Sequence, residues 1–445
     1  MSPELDVCDR VLALVRTLAG DAAEAQVTVT AGTSGLTRFA NSFIHQNVGE
    51  AARGVTVKVT LSGRSAAATA TGTDDEALGR ATRAAVEAAR VQPVDPSWPG
   101  LAPPSGPAPD GSWDPATAEA DPAVRAGLVA QFVGAVGDLD AAGYCETTAI
   151  RAAYANTAGQ RLHGRSTTAT LDGIARANGA DGSARHMSAA VAELGGSAAG
   201  ATAARLALAG ADAVDIEPGS YEVVLGPGCV GDLLIFLALY GFNGRAVAER
   251  RSFARVGEAQ FDPTVSIWDD VTNPRAVGLP FDAEGTPKRR VDFVTNGRTT
   301  ELAYDRRTAA VAGAQSTGHA IEGGESFGPV PTSLFLGPGT ATPEDLISRV
   351  QRGLLVTDFW YTRVLDPRTL VTTGLTRNGV FLVEDGRVVR PVGNLRFTQS
   401  YVDALAPGNV RGIAGDARLL PLYFGSCTAP TIHLGSWHFT GGAGG

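Results

Sequence analysis

Residues 223–244 read VVLGPGCVGDLLIFLALYGFNG. A strand-like run from Tyr221 to Leu225 reaches a glycine turn, and the chain then enters a wholly apolar segment, Leu233 to Tyr240. Strand, glycine turn and helix in that order often house a cofactor or a catalytic group. Gly226, Gly228 and Gly231 spell GxGxxG here, the local signature of a dinucleotide-binding unit. Two features oppose that reading. The second parallel strand, with its terminal acidic residue, would have to end near Glu249, where AVAERRSFARV reads as helix or loop. Pro227 also removes a backbone N–H where a pyrophosphate would need one. The stretch therefore reads as a turn into a core helix, apolar all round and buried on every face. Only the Tyr240 hydroxyl could move a proton there.

Working outward, the 445 residues are 44% hydrophobic and 19% charged, enough to bury a core of two or three domains. A formal charge of −9 opposes a nucleic-acid surface, which is usually basic. No apolar run approaches the roughly 18 residues of a membrane span. The N-terminal MSPELDVCDRVLALVRTLAG lacks a basic leader region and places Cys8, Val11, Leu12, Val15 and Leu18 at helical spacing. Cys8, Cys145, Cys229 and Cys427 lie far apart without a CxxC pair, which argues against disulfides or a cysteine-rich zinc knot. These features give the expectation of a cytoplasmic chain with neither a membrane nor a nucleic-acid partner.

Punctuation divides the chain into segments at 1–92, 93–120, 121–215 and 216–445. In the first, Val55, Val57, Val59 and Leu61 alternate up to a turn at Ser62 to Arg64, and TDDEALGRATRAAVEAAR follows as a helix. Thr73 is predicted as its N-cap, with Glu76 completing a capping box. Nine prolines from Pro93 to Pro122 mark a linker or a wrapping loop. Asp121-Pro122 opens the next helix, running to about Asp140. NTAGQ (156–160) reads as a turn between strands, and Ala201 to Leu208 as a helix. From VDIEPGSYEVVL onward, short alternating runs broken by Gly and Pro favour antiparallel strands. The fold class predicted is α+β, with N-terminal and central α/β segments around a large, mostly antiparallel C-terminal domain.

Two further patterns carry less. GESFG (324–328) satisfies GxSxG, but the nucleophile elbow needs a strand before the serine and a helix after it, and Ser326 has loop on both sides. Cys427, His433 and His438 suggest a metal site. On one continuous strand, however, the two histidines face opposite sides unless a bulge forms near Gly435.

The ordered set of motifs resembles the TldD/PmbA family, called modulators of DNA gyrase, and within it the PmbA (TldE) branch. FDAEGTPKRRVDFVTNG (281–297) looks like the family's EGTP segment. PGSYEVVLGPG resembles the strand and turn before its metal helix, and GVFLVEDGRVVRPV and APTIHLGSWHFTG also fit. In the TldD branch that helix carries HExxxH, two zinc ligands and a general base, and a later GTCGKDG adds a cysteine ligand. The resemblance puts Ile235 and Tyr240 at the histidine positions, Phe236 at the glutamate, and Ala414, within GIAGDA, at the cysteine. It implies a chain without catalytic or metal residues of its own, cytoplasmic, that processes unfolded or modified peptides as half of a heterodimer. The zinc would sit in a TldD-type metalloprotease partner. The alternatives are a metal-independent enzyme using the remodelled site and a stand-alone peptide-binding homodimer. Tyr240, His319, Glu325 and Phe327 are the candidate peptide-binding side chains.

Overall fold

The computed structural model describes residues 2–109 and 111–442. The first half is built on one six-stranded antiparallel sheet. Its strands are β1 (Glu24–Ala40), β2 (Phe43–Leu61), β3 (Arg64–Ala70), β4 (Asp140–Asn156), β5 (Arg161–Ala177) and β6 (Ala180–Ser188), in the order β3-β2-β1-β4-β5-β6. Val55, Val57 and Val59 are buried as their alternation requires. Ser62 and Gly63 both take positive φ (49° and 76°), the two-residue turn whose twist suits a hairpin. One face carries α1 (Pro3–Ala19) and α2 (Asp75–Val91), which cover Ala25, Val27 and Val29 of β1. Of the predicted α1 stripe, Cys8, Val11, Leu12 and Val15 are buried and Leu18 packs at the margin.

The cap of α2 lies one residue later than predicted. Asp74, not Thr73, accepts the Ala77 N–H at 2.9 Å, and Glu76 pairs with Arg80 instead of closing a capping box. Aspartate caps as well as threonine does, and here the extended backbone falls on Asp74. After the short α3 (Pro115–Ala118), α4 (Pro122–Val136) opens on Asp121 and Pro122 as expected. It stops four residues early because Gly137 takes φ 71° and β4 begins at Asp140. α5 (Gly196–Ala209) starts earlier than its apolar stripe suggested, and both helices pack on Phe39, Cys145 and Leu171.

β1 pairs with β4 from Gln26–Asn156 to Phe39–Gly143, so segments on either side of the prolines share one sheet. Of the two readings of the proline-rich stretch, the structure shows the wrap. Asp95 pairs with Arg307, Trp98 Nε1 donates to Glu24, and Arg306 reaches the carbonyl of Leu101. Asn156 and Gln160 then hold Ala102 and Ser105.

The second half has two sheets. One orders β10 (Arg298–Thr299), β9 (Val291–Thr295), β8 (Ile267–Asp269), β11 (Ser333–Leu336), β18 (Ser426–Ala429) and β17 (Arg418–Pro421). The other orders β12 (Arg352–Asp366), β7 (Gly219–Leu225), β19 (Ile432–Gly442), β15 (Leu395–Ser400), β13 (Val371–Glu384) and β14 (Arg387–Pro391), with β16 (Val410–Ile413) beside β19. β12 also pairs with β13, which closes five strands into a ring. Only β7–β12 and β11–β18 are parallel among the described ladders. The molecule is α+β, with mostly antiparallel sheets.

From β7 the chain enters α6 (Pro227–Phe236) through Gly226 as N-cap, then widens into a π turn at Leu237–Gly241. The helix is not buried on every face: Phe236, Leu239 and Tyr240 are only half-buried. Beyond it Gly244–Ala248 is a short helix, and Glu249 pairs with Arg245 and Arg251, so no second Rossmann strand exists there. Among the described residues no helix is long and apolar enough to cross a membrane.

Candidate functional site

α6 forms one wall of a cleft of about 680 Å³. Arg185 and Ser183 of β6 face it across the gap, and β12 and β13 supply Asp358, Trp360, Arg363, Arg377 and Asn378. Leu420 and Leu422 close the apolar side with Ile235, Phe236 and Leu239. Two of the three register shifts in the β12–β13 ladder shape this wall. Between Val356 and Asp358 the extra residue lies on β13, where Asn378 takes φ 59°. Between Trp360 and Arg363 it lies on β12, where Tyr361 takes φ 57°. A bulge re-aims the side chains that follow it. Here the second one returns Arg363 to the face that carries Asp358 and Trp360.

The glycines of the GxGxxG match have a local explanation. A Cβ on Gly228 would lie 1.9 Å from Asp358 Oδ1, and one on Gly231 would lie 3.0 Å from Cys427 Sγ. The start of α6, where a dinucleotide phosphate would bind, is thus already approached by the chain's own carboxylate. Asp358 accepts from Ser183 Oγ at 2.6 Å, and burial raises its pKa against the pull of Arg185. Arg185 is itself paired with Asp172 at 2.6 Å.

Asp232 is the residue that sequence reasoning missed. It accepts hydrogen bonds from Tyr401 Oη at 2.6 Å and Thr362 Oγ1 at 3.0 Å. Burial outweighs both and pushes its pKa from 3.8 up to about 6, while the same environment raises the Tyr401 hydroxyl well above its usual value. Its one sequence signal was a lone carboxylate three positions before Ile235, on the same helix face. Its partners lie 130 and 169 residues away, beyond any motif.

Ile235 is 8% exposed and Phe236 stacks on Tyr240 with centroids 6.0 Å apart. Phe236 also meets Tyr401 edge-on at 6.2 Å. Ala414 is not brought to them. It is fully buried with Val224, Leu346, Val350 and Val383, whereas Val223 and Leu225 of the same strand join the α6 core. Alternation along β7 puts the two clusters on opposite faces. His319 is buried, 3.1 Å from Asp269 and 2.8 Å from the Thr317 hydroxyl, and has no surface to offer a peptide. Glu325 and Phe327 sit on an exposed loop, with Lys58 3.6 Å from Glu325. That loop borders a separate cavity of about 270 Å³, where burial and Asp282 raise Glu284 to about 7.

GESFG is a single 3-10 turn in a loop, as its context predicted. In β19 the ladder slips between Leu434 and Trp437, the bulge that the two-histidine site required. It places both histidines on one face, but opposite Val224 and Ser220, about 13 Å apart along the strand. His433 contacts Glu222 at 2.8 Å and His438 contacts Ser220 at 3.2 Å, so they share no ion.

Residues 218–441 match the family model described as the PmbA/TldA metallopeptidase C-terminal domain. The chain belongs to this family. A metalloprotease TldD homologue from Buchnera aphidicola (Acyrthosiphon pisum) is 26% identical over 211 residues, 46% of this chain and 43% of that protein. A metalloprotease from Methanothermobacter thermautotrophicus is 25% identical over 169 residues, 37% of this chain and 36% of that one. Each match thus spans less than half of the relative's length. Among solved structures, TldE from Thermococcus kodakarensis superposes with a TM-score of 0.88 at 16% identity, covering 98% of this chain and all of that one. A protein described as a modulator of a DNA gyrase from Thermotoga maritima gives 0.86 at 18%, with coverage of 98% and 100%. At these identities the likeness speaks for the fold.

A metallopeptidase family implies a metal, and the described residues at this cleft do not fit one. A zinc site needs three or four donors converging at about 2 Å. Positions 235, 236 and 240 carry Ile, Phe and Tyr, and among the described residues no three His, Cys, Asp or Glu side chains are grouped to hold an ion. Cys427 touches the helix at Gly231, but burial pushes its thiol up to about 12, so it is no ready thiolate.

Proposed function

We propose that this chain is the metal-free, TldE-like member of a TldD/TldE-type peptidase assembly. It would shape a channel for an unfolded or modified peptide beside a zinc-bearing homologue. The observation that carries this reading is the side-chain set on α6. The strand, glycine turn and helix that the resemblance places at the family's metal site border a cleft here, while Ile235, Phe236 and Tyr240 stand where it puts the two ligands and the base. A shell kept without its donors retains the work of binding and enclosing, not of hydrolysis. The test is to mix the purified chain with a zinc-bearing homologue, measure mass by light scattering and follow cleavage of an unfolded peptide. One-to-one association with altered cleavage is expected. A homodimer or single-chain mass, with cleavage unchanged, overturns the proposal.

Asp232 supports a second reading, a metal-independent enzyme. An acid with a pKa near 6 in a cleft is suited to proton transfer at neutral pH. That reading requires peptide turnover by this chain alone, abolished in Asp232→Asn.

A further inference from the structure

The charges of the α6 cleft are unevenly spent. Asp172 is neutralised by Arg185, Asp358 is held by Ser183 beside the start of α6, and Asp232 is enclosed by Tyr401 and Thr362. The acidic side of the cleft is thus internally satisfied. The basic side is not. Arg377 makes no side-chain hydrogen bond or ion pair among the described residues, and Arg363 donates only to the Thr362 carbonyl at 3.0 Å. Asp358 lies opposite Arg377 in the ladder, yet its carboxylate points to Ser183 and no ion pair forms.

Both guanidiniums sit over aromatic rings. Arg377 lies 4.3 Å over the exposed Trp360 ring and Arg363 4.2 Å over the exposed Tyr361 ring. Stacking fixes the plane of a guanidinium and leaves its edge N–H groups free, a geometry that suits a planar carboxylate. The Tyr361 bulge is what brings Arg363 to the same face as Arg377. Next to them Phe236, Leu239 and Leu422 offer an apolar wall that could take a neighbouring side chain.

We propose that Arg363 and Arg377, stacked on Tyr361 and Trp360, bind a carboxylate of an extended peptide lying in the α6 cleft. This rests on the reading of that cleft as a peptide channel. The carboxylate comes either from the peptide's C-terminus or from an Asp or Glu side chain. The overall charge of −9 works against long-range attraction, so selectivity arises at contact and is not steered from a distance.

The experiment uses the full chain and N-terminally labelled, unstructured octapeptides ending in leucine, with binding read by fluorescence anisotropy. One peptide is a free acid, one its C-terminal amide, and a further amide pair carries an internal Glu or Gln. The free acid is expected to bind about tenfold more tightly than its amide, the scale of one charge-assisted bidentate contact. Arg363→Gln and Arg377→Gln should each bring the affinity of the free acid down to that of the amide, with melting curves confirming folded variants. If the Glu amide instead binds like the free acid and the Gln amide does not, the carboxylate comes from a side chain and the proposal stands. Equal binding of acid and amide forms, with no Glu preference, overturns it while leaving peptide binding intact. No binding of any peptide overturns both this proposal and the channel reading, whatever mass the heterodimer experiment gives.

Discussion

Asp232 shows what a single residue hides in a sequence. In the quoted stretch it looks like an ordinary acid in the first turns of a helix, where the dipole welcomes it. The fold makes it a tightly held carboxylate at the cleft, because Thr362 and Tyr401 arrive from other elements. Its linkage has a definite sign. Folded Asp232 keeps its proton up to about pH 6, whereas the unfolded side chain releases it near 3.8. The folded state binds more protons in that window, so stability falls as pH rises from about 4 through 6. A shift of that size corresponds to about 3 kcal/mol lost at neutral pH. Asp232→Asn keeps an acceptor for Tyr401 and removes the charge. We expect it to raise the melting temperature at pH 8 and to leave it nearly unchanged at pH 4. An equal effect at both pH values would refute the buried-charge account. Phe236 carries the second prediction at this scale. A fully buried Phe236 would make Phe236→Glu cost several kcal/mol, but the side chain lines the cleft, so the cost reduces to its stacking on Tyr240 and Tyr401. A loss of about 1–2 kcal/mol is expected. No stoichiometric zinc should be gained, since one carboxylate is not a site. Elemental analysis showing one zinc per chain would contradict this.

At the scale of elements, apolar alternation and glycine punctuation carried the strands and the turn into α6 legibly. The α2 cap, the helix ends and the β12–β13 bulges escaped, because each depends on one or two residues whose alternatives are nearly equal in energy. The junction of α6 with β12 is the informative case. The GxG spacing looked like a phosphate cradle, and the reason for Gly228 proves to be the approach of Asp358, 130 residues further along the chain. A methyl at position 228 would have to displace a buried carboxylate that Ser183 holds. Gly228→Ala should therefore destabilise the protein by about 2–4 kcal/mol. Asp358→Ala removes the obstacle at its own cost. The double variant should then be more stable than the sum of the two single effects predicts, with a coupling of about 1–2 kcal/mol. Strict additivity in urea unfolding would show that Gly228 and Asp358 do not meet.

On the scale of the whole molecule, the sequence divides into three segments with a proline-rich stretch at 93–120 between the first two. What no periodicity could reveal is how the halves are joined. Tyr154 of the first sheet is fully buried beside Phe281, and Gln160 donates to the Gly285 carbonyl at 2.8 Å. The proline-rich strap lies over the same seam, tied by Arg306 and Arg307. Gly285 is where the EGTP segment bears on the first sheet. It takes φ 74°, and a Cβ there would lie 2.1 Å from Tyr154. Such tight contact predicts that the two halves unfold together. Calorimetry should give a single transition, with a van't Hoff enthalpy equal to the calorimetric one. Gly285→Ala combines backbone strain with a clash against a ring that has no room to move, and should lower stability by about 3 kcal/mol or more. It should do so without splitting the transition, because the damage lies in the seam both halves share. Two resolved transitions in the unaltered protein would mean that the seam is too weak to couple them. The cleft between β6 and α6, which draws its walls from both halves, would then open before either half unfolds.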